Sequence, residues 1–118
     1  MIENKSKNLQ TRLITFSKQI ITFIRKNKLD MVNGVICKQL VRSGTSIGAN
    51  VIEAQHSLTR KGFENYYRIA LRSANETRYW LELIDRSDVS DNSLDMLISE
   101  NEQLTKILAA IIIKLRRD

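Results

Sequence analysis

Apolar residues recur at steps of three and four along most of the chain, which is the spacing of one face of an α-helix. Four segments carry this pattern, at about 7–26, 31–57, 59–86 and from 94 onward. Asp30 and Thr59 are predicted N-caps, and the polar run Ser87–Ser93 predicts a loop. The predicted core positions are Leu9, Leu13, Phe16, Ile20 and Phe23; Val32, Val35, Ile36, Leu40, Ile47, Val51, Ala54 and Leu58; Phe63, Tyr67, Ala70, Ala74, Thr77, Leu81 and Ile84; and Leu94, Leu97, Asn101, Leu104, Leu108, Ile111 and Leu115.

The pattern predicts an all-α fold, an antiparallel up-down four-helix bundle formed by a single domain over residues 1–118. The connections are short, and short connections make successive helices antiparallel. The chain has no proline and only four glycines. Gly44 and Gly48 fall inside the second helix, where each costs up to about 1 kcal/mol. We expect them where another backbone comes close, with a kink near Gly44.

Two helices carry more apolar surface than one bundle core requires. The surplus residues are Tyr66, Ile69, Trp80 and Leu83 on the third helix, with Ile14 and Ile21 on the first. An exposed apolar patch of this size usually marks an interface, so we expect a homo-oligomer. A wider bundle core is the alternative.

The second helix also carries a polar stripe at helical spacing. Its members are Gln39, Arg42, Ser46, Asn50, Glu53 and Ser57. A solvated face, a hydrogen-bonded network against another helix and a ligand site are three interpretations. The neighbouring glycines favour the network, because small residues let helices approach. Glu76 and Asn101 are candidate partners.

The net charge of +6 and a pI of about 9.7 favour an anionic partner such as RNA or DNA. Basic residues lie opposite the core stripes of two helices. These candidate nucleic-acid-binding residues are Lys7, Lys18 and Arg25, and Lys61, Arg68, Arg72, Tyr79 and Arg86. An aromatic among arginines suits phosphate contact with base stacking. A solvated face, diluted by Glu64, Glu82 and Asp85, is equally open.

Neither a catalytic site nor a cofactor or metal site is predicted. His56 follows Glu53 at the Glu-x-x-His spacing of di-iron bundles, but such a site needs two of these motifs and further carboxylates. The lone Cys37 is predicted to be a half-buried apolar residue. A lone thiol fits a reducing compartment, and neither a signal segment nor a membrane span is apparent. We therefore expect a cytoplasmic protein that is not an enzyme.

The stretch Gln39–Ile84 resembles the four-helix bundle proteins first noted as 23S rRNA intervening-sequence proteins. The most telling pieces are Gln39-Leu40, Arg42, Ser46-Ile47, Ala49-Asn50-Val51, Glu53-Ala54, Ile69-Ala70 and Glu76. The resemblance implies a homo-pentameric barrel. It also implies similarity to the accessory variability proteins of diversity-generating retroelements, which bind nucleic acid and a reverse transcriptase. The family has no established enzymatic activity.

Two functions follow as expectations. The first is a non-catalytic, basic homo-oligomer that contacts RNA or DNA through the backbone phosphates. The second is an oligomeric scaffold that binds another protein without touching nucleic acid, with a reverse transcriptase as the partner that the resemblance suggests.

Overall fold

The computed structural model describes the backbone of residues 2–27 and 30–117, and the side chains of these ranges from residue 8 onward. These residues form four long α-helices: α1 (Ile2–Lys26), α2 (Met31–Ala54), α3 (Arg60–Leu83) and α4 (Ser93–Arg117). A short 3-10 helix (Arg86–Asp88) lies between α3 and α4. No strand occurs within the described ranges. The prediction of an all-α four-helix fold is confirmed.

The two predicted N-caps are confirmed. The Asp30 carboxylate accepts a hydrogen bond from the backbone N–H of Asn33 at 2.8 Å, and the Thr59 hydroxyl accepts one from the N–H of Gly62 at 3.0 Å. Each bond satisfies a backbone donor that has no partner within the first helical turn. The side chains before these helices therefore define where α2 and α3 begin.

Two predicted helix ends were too late. Helix α2 ends at Ala54, so Ser57 lies in the turn and not on the polar stripe of the helix. Helix α3 ends at Leu83, and Arg86 belongs to the 3-10 helix that follows.

The helices pack side by side in an elongated body of 46 × 24 × 21 Å. A helix of about 25 residues is roughly 37 Å long, so each helix runs most of the long dimension. Helices α2 and α3 are antiparallel, because Ser43 pairs with Thr77 while Ser46, further along α2, pairs with Ser73. Each helix contacts its neighbour in sequence, and α1 closes the bundle against α4.

The core follows the predicted stripes closely on α1, α3 and α4. All five predicted positions of α1 are buried, and on α4 only the last turns differ, where Ile112 is buried and Ile111 and Leu115 are half-buried. Phe63 is half-buried at the start of α3 and stacks on Tyr67.

Three predicted core residues of the second segment are exposed, and that prediction was wrong. Val32 and Val35 are 67% and 61% exposed on α2, and Leu58 lies fully exposed in the turn after it. The buried side of α2 instead begins at Asn33 and Cys37 and continues through Leu40. Assigning Val32 and Val35 to the core shifted the predicted stripe at the start of α2 toward the outer surface.

Helix α2 passes through both central glycines as a continuous α-helix, with no break at Gly44. A β-carbon on Gly48 would lie 3.3 Å from Cβ of Leu13 and 3.8 Å from its backbone carbonyl. A β-carbon on Gly44 would overlap the Cδ1 atom of Ile20. The two glycines therefore allow α1 to lie close against α2.

Candidate interaction surfaces

Small hydroxyl side chains join α2 to α3 along their line of contact. The hydroxyls of Ser43 and Thr77 lie 3.0 Å apart in a fully buried position. One turn further along α2, the hydroxyl of Ser73 donates to that of Ser46 at 3.0 Å, and the Asn50 amide donates to the same Ser46 hydroxyl. These bonds fix the register of the two helices, since each buried polar group needs a partner.

An ion pair lies on the outer side of this line. Arg42 on α2 donates to the carboxylate of Glu76 on α3, and also to the side-chain oxygen of Gln39 at 3.0 Å. The indole N–H of Trp80 donates to Glu76 at 2.9 Å. Most of the polar stripe therefore lies in a network between two helices of one chain, although Glu53 is exposed and pairs with no described residue.

The second apolar seam of α3 and the polar stripe of α2 lie on one surface. Residues seven apart on an α-helix lie on the same face, about two turns from each other. In two antiparallel helices, a step of seven residues backward along one helix and seven forward along the other therefore leads from one facing pair of residues to another. The Arg42–Glu76 pair therefore places Val35 level with Leu83. The Ser46–Ser73 pair likewise places Gln39 level with Trp80 and Glu53 level with Tyr66. We call this surface, from Val32 to Glu53 on α2 and from Tyr66 to Leu83 on α3, the α2–α3 face.

One end of the α2–α3 face is apolar and open. Val32, Val35, Tyr79 and Leu83 are between 45% and 67% exposed, and Trp80 is half-buried with its ring edge-on to Tyr79. At the other end of the face, Ile69 is half-buried. Val32 and Val35 were expected in the core, but they add to the exposed surface. The exposed apolar surface is therefore larger than the one predicted from the surplus residues of α3 alone.

The surplus residues of α1 are partly exposed. Ile14 is 44% exposed and Ile21 is half-buried. A groove of about 320 Å³ runs between α1 and α4, lined by Thr15, Lys18, Gln19, Thr22, Phe23, Lys26, Ser93, Met96 and Leu97.

Asn101 is the polar interruption in the apolar stripe of α4, and it is 1% exposed. Its amide donates to the backbone carbonyl of Ala74 on α3 at 3.1 Å, while its own side-chain oxygen has no hydrogen-bond partner among the described residues. Asn101 therefore joins α4 to α3. Its predicted hydrogen bond to the polar stripe of α2 is not formed among the described residues.

The basic residues predicted on α3 differ in their surroundings. Arg68 pairs with Glu64 at 2.8 Å, and Arg86 pairs with Asp95 at 2.6 Å across the α3–α4 connection. Lys61 and Arg72 are exposed and form no ion pair with a described residue, and Tyr79 is 57% exposed. Among the described residues, the unpaired cations of this stripe are therefore Lys61 and Arg72, because the charges of Arg68 and Arg86 are matched by Glu64 and Asp95.

On α1, Lys18 and Arg25 are exposed and pair with no carboxylate in the described ranges. Lys18 borders the α1–α4 groove. The side chain of Lys7 lies outside the described residues. The basic residues of α1 and those of α3 lie on separate surfaces of the bundle.

The described part of the chain contains no group of three or more His, Cys, Asp or Glu side chains that could hold a metal ion. Cys37 is 2% exposed, and burial raises the pKa of its thiol. A buried thiol with a raised pKa is a poor nucleophile at neutral pH, since the thiolate is the reactive form. No described helix is both long and apolar enough to cross a bilayer.

Two comparisons with known proteins agree with this architecture. A family model described as 23S rRNA-intervening sequence protein matches residues 5–110. A crystal structure of a protein of unknown function from the S23 ribosomal protein family of Bacteroides thetaiotaomicron is 33% identical, with a TM-score of 0.77. The match covers 92% of this chain and 97% of that one. None of the curated proteins compared with the chain matches it.

Neither match names a retroelement protein, so that part of the resemblance stays a prediction. Sequence reasoning also missed two features of the surface. The exposed start of α2 could have been found from Cys37 and Leu40, whose spacing continues back to Asn33. The cations at the end of α4 were overlooked because the segment as a whole is acidic.

Proposed function

Because the chain belongs to the 23S rRNA-intervening sequence protein family, we propose that it is a non-catalytic, RNA-associated helical bundle that self-associates through its α2–α3 face. The observation that supports self-association most is the open apolar end of that face, where Val35 and Leu83 lie level with each other. A second copy that covers these residues removes their apolar surface from water. Each Å² of apolar surface buried in this way favours association by about 25 cal/mol.

The middle of the α2–α3 face also suits a subunit contact. Arg42, Gln39, Glu76 and Trp80 are already bonded to one another, so a second copy can cover them without leaving a charge unpaired. An unpaired buried charge would be costly. The resemblance implies five subunits in such an assembly.

Glutamate at both Val35 and Leu83 is expected to dissociate the oligomer. Two carboxylates would have to lose water in an apolar contact, so the variant should be a monomer at protein concentrations where the parent protein is an oligomer. Sedimentation velocity or light scattering at micromolar concentration measures this. Both positions are exposed in the single chain, so the thermal unfolding of the bundle itself should change little.

A matched control carries glutamate at Met96 and Ile113, which are exposed on α4, away from the α2–α3 face. It introduces the same two charges at apolar positions of similar exposure and should remain an oligomer. A parent protein that is monomeric, or a Val35 and Leu83 variant that associates as well as the control, would contradict this interface.

RNA association is supported by the family description and by the net charge of +6. We propose that the chain contacts the phosphate backbone, a mode of contact that positions nucleic acid without reading its sequence. Binding of this kind depends strongly on salt, because each phosphate contact releases counterions.

The affinity for RNA is expected to fall at least about tenfold between roughly 50 and 200 mM salt, as three or more phosphate contacts require. Fluorescence anisotropy with a labelled RNA hairpin, a 20-nucleotide single strand and a DNA duplex would measure it. Little difference among sequences of one shape is expected. No binding to any of these at the lowest salt would rule out the nucleic-acid role.

A protein-binding scaffold is the second candidate, and the same apolar end of the α2–α3 face supports it. Capture of a stoichiometric protein partner from the native host, unchanged by nuclease treatment and lost with glutamate at Val35 and Leu83, would favour the scaffold. Loss of the captured material after nuclease treatment would favour RNA association.

A further inference from the structure

Charge is distributed unevenly along the bundle. At the end where α2 finishes, α3 starts and α4 finishes, the described residues include six cations and two carboxylates. They are Arg60, Lys61, Arg68, Lys114, Arg116 and Arg117, with Glu53 and Glu64. Among the described residues, the opposite end has four cations and six carboxylates. They are Arg25, Lys26, Lys38 and Arg86, with Asp30, Glu82, Asp85, Asp88, Asp91 and Asp95.

Tertiary contacts hold the cations of the first end together. The guanidinium of Arg60, in the first turn of α3, donates to the backbone carbonyl of Leu115 in the last turn of α4 at 2.6 Å. This bond joins the two helix ends. Glu64 lies close enough to these cations to be affected by their charge. Its pKa is lowered first by the hydrogen bond from Arg68 and then by the charges of Arg116 and Arg60.

The cluster contains more positive charge than is required to compensate the partial negative charge at the C-terminus of α4. The C-terminus of a helix carries about half a negative charge, which nearby cations compensate. Here α4 ends with three cations, and Arg60 already bonds one of its last carbonyls. Lys61, Lys114, Arg116 and Arg117 are exposed and form no ion pair with any described residue. They are available to an external anion.

We infer that nucleic acid binds at this basic end, through its phosphate groups, and not along the full length of the α3 stripe. Arginine guanidinium groups bind phosphate oxygens in a two-pronged geometry, and lysine adds point charge. At the far end of the α3 stripe, Arg86 is matched by Asp95 and surrounded by carboxylates, so a polyanion would be repelled there. The inference rests on the proposed RNA association and gives it a location.

Charge reversal at the basic end tests the location. In the full-length protein, Lys61→Glu, Arg116→Glu and Arg117→Glu together should weaken binding of a labelled 20-nucleotide RNA at least tenfold more than a control variant. The dependence of log affinity on log salt should also become shallower by about 2, because each phosphate of a single strand that a cation neutralises adds roughly 0.7 to that slope. The three positions are exposed, and circular dichroism checks that the fold is retained.

The control is Lys18→Glu, Arg25→Glu and Lys38→Glu, which changes the net charge equally at exposed residues outside the basic end. It should keep the salt dependence of the parent protein. Equal weakening in both variants would overturn the location, since only total charge would then matter, and so would parent-like binding by the basic-end variant. If the parent protein binds no RNA, the proposed function fails as well.

Discussion

Replacing Asn101 with aspartate is expected to destabilise the protein by at least about 3 kcal/mol at neutral pH. The amide of Asn101 donates to the carbonyl of Ala74 in a position that is 1% exposed. Aspartate has nearly the same shape, but it would place a carboxylate oxygen against that carbonyl oxygen in a position closed to water. Urea unfolding monitored by circular dichroism measures the loss.

The loss should depend on pH. Burial and the facing carbonyl would raise the pKa of the new carboxyl in the folded state above its unfolded value of about 4. Between these two pKa values the folded state binds more protons than the unfolded state, so stability falls as pH rises. The loss of stability of the aspartate variant relative to the parent protein should be largest at neutral pH and smallest below about pH 4.

Asn101→Leu is the matched control. The side-chain oxygen of Asn101 has no partner among the described residues, and removing such a group together with the amide can be nearly neutral. We expect a change within about 1 kcal/mol and no new pH dependence. Equal losses for leucine and aspartate, or a pH-independent loss for aspartate, would show that Asn101 acts through shape alone.

Leucine at Gly48 is expected to destabilise the protein by about 3 kcal/mol, although leucine is the better helix former. The backbone of Leu13 lies beside Gly48, so a side chain there can be accommodated only if α1 moves away from α2. Thermal unfolding measures the effect.

Gly34→Leu provides the comparison within the same helix. Apart from its chain neighbours and the backbone of its own helix, no described atom lies within 4 Å of the position a β-carbon would take on Gly34. Leucine there should be neutral or should stabilise by up to about 0.8 kcal/mol, through helix propensity alone. A similar effect at both glycines would mean that the approach of α1 to α2 does not depend on Gly48.

The helices were readable from the sequence because their determinants are local. Asp30 and Thr59 cap the helices that follow them, and the apolar spacing of α1 and α3 is regular enough to identify the buried side. The start of α2 was misjudged because Val32 and Val35 satisfy the same spacing as core residues. The other side of that turn is covered by residues distant in sequence, Phe23 on α1 and Ile84 and Asp88 at the end of α3 and beyond it.

The candidate surfaces were predicted in parts. The polar stripe of α2 and the second apolar seam of α3 were each found by spacing, but their union in one α2–α3 face depends on the helix register, which the Ser43–Thr77 and Ser46–Ser73 contacts fix. The basic end was not predicted, because Arg60 and Leu115 are 55 residues apart in sequence.

By itself, the sequence determined four helices, their approximate limits, the buried side of most of them and the family resemblance, since each depends on residues within a few turns of one another. Only the tertiary structure decided which surplus residues share a surface, which arginines are already neutralised by carboxylates and where unpaired cations gather. Those properties depend on distances between helices, and side-chain burial and charge are set by neighbours that the linear order does not identify.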